Sequence, residues 1–194
     1  MALNVTSGPA SEPVTTDEAK TQIRLYVAND DTYVASLIIA ARIAVEEHIW
    51  RTLVNRTWEY VLDDFPRCND AMIRVPRPPL VSVSSIQYVD TDGATQTLSA
   101  SDYQVDAKSH PGRIVPAFNK VWPQTRAQLN TVTVTYIGGY GASIPETAKL
   151  AIKMMVAQWY ERREPVVDGE VREVPWHIKM LLNQLWVGSL HRNE

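Results

Sequence analysis

The sequence contains one cysteine, Cys68, so it can form no internal disulfide and has no set of thiols for a Cys-rich zinc site. No apolar run approaches the roughly 20 residues that a membrane-spanning helix needs. An excess of positive charge is also missing. Nineteen Lys and Arg face 22 Asp and Glu, for a net charge of −3 and a pI near 5.8. That balance argues against a strongly basic nucleic-acid clamp, although a local basic patch stays open. The opening stretch MALNVTSGPASEPVTT lacks both a basic n-region and an apolar h-region, so no secretory signal is expected. Phenylalanine is scarce, at 2 residues, against 6 Trp and 8 Tyr. Both of the abundant rings carry a polar handle and are favoured at protein interfaces, with ordinary core packing as the plainer explanation. What is present is enough apolar material, 45% of 194 residues, for one domain or one domain with a sizeable insertion. A soluble protein made inside the cell is the expectation.

Periodicity divides the chain. Residues 1–14 read as an extended arm rich in Ser, Thr, Pro and small residues. Thr15 and Glu18 have capping-box spacing and predict a short helix over about 16–28, ended by Asn29-Asp30. Val34, Leu37, Ile38, Ala41, Val45, His48 and Ile49 recur at three- and four-residue steps, predicting an amphipathic helix over about 31–51. From Thr57 the period drops to two. Strands are predicted around 57–62, 81–89, 103–105, 112–115 and 132–137, with Asp92-Gly93 as a hairpin turn. Helical spacing returns at Ala148, Ala151, Ile152, Met155, Val156 and Trp159 behind Pro145. A charged linker and a last helix ending at Gly188 close the sequence. The expected organisation is an arm 1–14, a helical segment 15–55, an inserted β-subdomain 56–140, a helical segment 141–163, a linker 164–174, and a C-terminal helix and tail 175–194. The fold class is therefore α+β, a small helical bundle from both chain ends with an inserted, mainly antiparallel β-subdomain.

Each candidate for chemistry breaks at a required position. Gly138-Gly-Tyr-Gly141 lacks the Gly-Lys-Ser/Thr ending of a phosphate loop, and Ile144 stands where the dinucleotide pattern needs a glycine. A chain-reversing turn is the better reading. Asp90, Asp92 and Gly93 faintly suggest a calcium loop, but Ala94 and Thr95 replace a ligand and the turn glycine. None of His48, His110, His177 and His191 lies in a metalloprotease motif or beside a nucleophile, and His48 reads as a partly buried structural residue. Cys68 has Arg67 beside it and no catalytic partner. Asp63-Asp64 reads as an exposed strand end, and Pro76-Arg-Pro-Pro79, a formal PxxP match, as a stiff lead-in to a strand. No enzyme, cofactor or metal site is expected. Arg162-Arg163, the one adjacent basic pair, is flanked by Glu161 and Glu164, which predicts weak, nonspecific DNA affinity. The C-terminal helix carries Ile178, Leu181, Leu182, Leu185 and Trp186 on one face. It can fold back on its own domain or dock on a partner, and Trp176 and Trp186 at its ends favour a partner.

Three segments carry a family likeness: Val34 to Leu53, the stretch Val75-Pro-Arg-Pro-Pro-Leu through Tyr88-Val-Asp90, and Ile144-Pro-Glu through Trp159-Tyr-Glu-Arg-Arg163. Thr135-Tyr-Ile-Gly-Gly-Tyr-Gly141 leads into the third. In order and spacing, over about residues 15–163, the chain resembles the head–tail connector (adaptor) proteins of tailed bacteriophages, in the branch with an enlarged β insertion. The resemblance implies a non-enzymatic homo-oligomer, typically of twelve copies, at the virion's head–tail junction after synthesis in the host cytoplasm. Its partners would be the portal protein, the next neck or tail protein, and genomic DNA passing through the lumen unread, with no membrane. It also implies portal binding by the C-terminal helix, here Trp176, Ile178, Leu181, Leu182, Leu185 and Trp186. The rival class is an oligomeric phage binding module whose β-subdomain recognises a receptor or glycan. Exposed aromatic clusters on that subdomain would favour the rival.

Overall fold

The computed structural model describes residues 1–67, 71–161 and 176–187. Cys68, Arg162-Arg163, the linker 164–174, Gly188 and His191 lie outside the described residues. The described residues divide into two compact units: a β unit of residues 1–10 and 55–140, and a helical unit built from 11–54, 141–161 and 176–187.

Among the described residues the β unit contains eight strands: β1 (Ala2–Val5), β2 (Arg56–Leu62), β3 (Ile73–Val75), β4 (Leu80–Val89), β5 (Thr95–Thr97), β6 (Tyr103–Asp106), β7 (Gly112–Pro116) and β8 (Val132–Gly138). One sheet has the order β1-β2-β8-β4-β5 and the other β3-β7-β6, and every pairing is antiparallel. β8 alternates strictly, sending Val132, Val134, Tyr136 and Gly138 inward. Its register with β2 sets Trp58 opposite Tyr136, Tyr60 opposite Val134 and Leu62 opposite Val132, so both strands bury the same face. Phe65, Ile73, Val75, Leu80, Ile86 and Ile114 complete the core, which draws on both sheets. Irregularities in β4 between Leu80 and Ser82 and between Val83 and Ser85 shift its alternation, leaving Val81 exposed while Leu80 and Ile86 are buried. The arm expected over 1–14 is extended at its start and is tied down there. Its first residues pair along β2 as an edge strand, with Leu3 opposite Tyr60 and Val5 opposite Trp58.

The helical unit comprises α1 (Thr16–Ile23), α2 (Asp31–Ile49), α3 (Glu146–Glu161) and α4 (Trp176–Asn183). The capping box forms as the sequence indicates. The Thr15 N–H donates to Glu18 Oε2 at 2.8 Å, and the Glu18 N–H donates to Thr15 Oγ1 at 3.2 Å. α1 stops earlier than the expected residue 28, because Arg24 turns left-handed at φ 56° and the Leu25 N–H reaches back to the Lys20 carbonyl. Asp30 precedes α2 without capping it by its side chain. Its carboxylate instead accepts from the Tyr160 hydroxyl on α3. Val34, Ile38, Ala41, Val45 and Ile49 of α2 are buried, as are Ala148, Ala151, Ile152, Met155 and Val156 of α3. Arg42 is buried with them. Its Nε donates to Glu12 at 2.7 Å and its Nη1 to Glu46 at 2.9 Å, while Glu46 also accepts from the Leu53 N–H. Burying these charges is tolerable because each is paired and hydrogen-bonded.

Candidate interaction surfaces

The motifs that suggested chemistry have structural employment. Asp90 accepts from the Asp92 and Ala94 N–H groups at 3.1 and 2.9 Å and from the Gln96 amide at 2.9 Å, which closes the β4–β5 hairpin around Gly93 at φ 91°. Gly139 has φ 142°, and a Cβ there would stand 2.6 Å from the Asn55 backbone nitrogen. Its N–H donates to the Pro79 carbonyl at 2.9 Å, so this glycine turn serves close packing of backbone on backbone. Pro76 and Pro78 are buried and Arg77 lies over the Trp58 ring, 6.0 Å from its centre, so the PxxP match presents no ligand face. Asp63 accepts from the Asn130 N–H at 3.0 Å. Asp64 accepts from Thr125, Arg67 and its neighbour's N–H. Burial pushes the Asp64 carboxyl up, but those donors outweigh it and leave the group below its ordinary range. Both aspartates therefore fasten the β7–β8 connection. His48 is half-buried, with its Nε2 3.4 Å from Asn183 Oδ1. No three His, Cys, Asp or Glu side chains gather to hold a metal among the described residues.

The C-terminal helix divides its apolar face. Ile178 and Leu182 are buried in the helical unit, where α4 packs on α3 and α2. Arg51 Nε donates to the Leu185 carbonyl at 2.6 Å, pinning the end of the helix to the end of α2. Helix α4 thus completes a core, and the expectation that it is merely held out for a partner does not describe Ile178 and Leu182. Ile178 and Leu182 lie four residues apart, so they share the helix face that packs on α3 and α2. Leu181 and Leu185 are half-buried. Trp176 and Trp186 remain outside, 74% and 53% exposed, with Met180 exposed between them. A long connection after β7 forms a second outward apolar set that periodicity did not reveal. Phe118, Val121 and Leu129 stand exposed on it. Below them Trp122 stacks on Phe65 at 4.8 Å and donates from its indole to the Ala71 carbonyl at 2.7 Å. Single-residue Phe and Val in a non-repeating loop give no pattern to read, although the Gly/Pro-poor aromatic content of 117–122 was a signal that the segment is ordered.

An α+β chain that holds its polar motifs in turns and leaves Trp176 and Trp186, two of its six tryptophans, exposed has the form of a subunit made for assembly. A family model for head completion protein (HCP) matches residues 13–170. The chain belongs to the head completion protein family and is a structural head–tail connector of a phage-like particle. In fold it is similar to a chain in the neck of an empty gene transfer agent particle computed with C6 symmetry (TM-score 0.78, 22% identity, 96% of this chain and 95% of that one covered). It is also similar to chains in the virion of the native gene transfer agent particle (TM-score 0.77, 22% identity) and in the native neck computed with C12 symmetry (TM-score 0.69, 21% identity), with the same 96% and 95% covered in both. No curated protein sequence matches the chain at a significant level.

Proposed function

We propose that this chain forms a closed ring, of twelve copies, on the portal vertex at the virion's head–tail junction, joins the portal to the next neck or tail protein, and lets DNA pass through its lumen without catalysing a reaction. The observation that carries this reading is the family match, which spans both units of the chain. The symmetric necks of similar fold support a ring. A net charge of −3 per copy suits a conduit, since DNA must slide and a lumen dense in Lys and Arg would grip its phosphates. The portal contact is assigned to the exposed part of α4 and the turn after it, Trp176, Met180 and Trp186 flanked by Leu181 and Leu185, with Ile178 and Leu182 supporting it from inside. Exposed tryptophans at the start of a short helix and just past its end are suitable anchors.

Of the described aromatic residues in the β unit only Phe118 is exposed, which is less than a glycan- or receptor-reading cluster requires. The test is co-sedimentation of the full chain with its portal, beside assays for ATP binding and metal-dependent DNA cleavage. Binding that is lost in the Trp176→Ala, Trp186→Ala double variant, with both assays silent, is expected. Failure to bind the portal, or a saturable enzymatic activity, would contradict the reading.

A further inference from the structure

We infer that the outer face of α2 is the seat of a second copy of this chain, so that it forms the subunit contact of the ring; the inference rests on the ring reading above. Between Asp31 and Glu46 the one charged residue is Arg42, which is turned inward and held by Glu12 and Glu46. What α2 shows to solvent over the same span is Thr32, Tyr33, Ser36, Ile39, Ala40 and Ile43, residues that recur at helical spacing along one stripe. Ile39 is 44% exposed and Ile43 49%. The inner face of the same helix is the apolar core described above. Helices that are apolar all round are covered all round, and α2 approaches that state at Ile39, Ala40 and Ile43. No helix among the described residues is long and apolar enough to cross a membrane. α3 shows the ordinary alternative, with Glu146, Lys149, Lys153 and Glu161 outside its core face.

Two features select a second copy as the cover. A stripe without charge from Thr32 to Ile43, ended by the exposed Glu47, has the character of a permanent subunit contact, which is more apolar than surfaces that meet and part. A closed ring needs a heterologous contact, so each copy must bring two different patches. The same helical unit has a second one, Tyr26 and Val27 in the α1–α2 connection, both exposed. One chain therefore carries both halves of the contact.

The experiment places the photoreactive residue p-benzoylphenylalanine at Ile43 of the full-length chain and irradiates it after assembly on the portal. Mixtures of isotope-labelled and unlabelled chain distinguish cross-links between copies from those within one. Cross-links from residue 43 to a peptide of another copy are expected. Cross-links to the portal, to another neck protein or within the same chain, or none at all, would overturn the inference. A second measurement uses Ile39→Glu with Ile43→Glu. The circular dichroism spectrum and thermal midpoint should stay near those of the parent, because these side chains are outside the core. Ring assembly should weaken by more than about tenfold, since two carboxylates would be buried without partners. Rings forming as readily as before would also overturn it. If the unaltered chain makes no ring on the portal, the ring reading itself falls; if it makes one and the probe at residue 43 finds no second copy, only this inference does.

Discussion

Tyr136 is fully buried on β8, and burial holds its phenol well above the ordinary tyrosine range, so it stays neutral and donates to the Pro76 carbonyl at 2.8 Å. Tyr136→Phe keeps the packing and strands that carbonyl, at a cost of about 1–3 kcal/mol, to be read as a lower urea midpoint with an unchanged slope. Gly139→Ala adds a methyl group against the Asn55 backbone at a positive φ. The strain should cost roughly 1–3 kcal/mol, visible as a thermal midpoint lower by several degrees. Acid should act through Asp106 and Asp64. Asp106 accepts from the Ser109 hydroxyl, the Arg113 guanidinium and the Lys108 and Ser109 N–H groups, which hold its carboxyl far below the usual range. Asp64 is also lowered. Groups depressed in the folded state stabilise it fully above their unfolded pKa of about 3.9, and that contribution is lost as pH falls through the folded values. Stability from these pairs should therefore hold from neutrality to about pH 4 and decline below it, and Asp106→Asn should flatten that decline in urea titrations followed by circular dichroism.

Among the elements, α4 gives the sharpest contrast. Leu182→Ala removes a side chain buried on the helical unit and should cost about 2–5 kcal/mol, measured as a lower thermal midpoint of the isolated chain. Trp176→Ala with Trp186→Ala trims exposed rings and should move that midpoint little while weakening portal binding. The elements themselves were legible to different degrees. α2, α3 and β8 followed from their spacing, since one buried face forces a period of 3.6 or 2 on the residues that line it. β1 was not legible. Ala2–Val5 is mostly exposed, and an edge strand held by its backbone bonds to β2 needs no side-chain pattern. β4 was legible in part, because its irregularities move the inward position from odd residues to even ones between Val83 and Ile86. α1 ended early for a similar reason: a left-handed Arg24 carries no compositional mark. In the candidate site, the apolar spacing of α4 was visible and its division was not. Which of Ile178, Leu181, Leu182 and Leu185 face α3 depends on helices far apart in sequence.

For the whole molecule, the absence of a complete catalytic motif, the mild acidity and the wealth of Trp and Tyr were all readable from the chain. They argued against a strongly basic nucleic-acid clamp and for surfaces that meet partners, while the connector role itself came from the family resemblance. The outward stripe of α2 was hidden behind the same periodicity that revealed its core face, and only burial separates Ile38 from Ile39. Family membership fixes the head–tail connector role, and the arrangement of exposed apolar residues suggests how such a chain meets its neighbours: α2 toward another copy, the ends of α4 toward the portal. The most direct test is cryo-electron microscopy of the full-length chain bound to its portal. The account predicts a closed ring of twelve copies with an open lumen, Trp176 and Trp186 against the portal and the α2 stripe covered by the adjacent copy. Isolated copies scattered on the portal, or a ring that meets it through the β unit with α4 turned away, would contradict it.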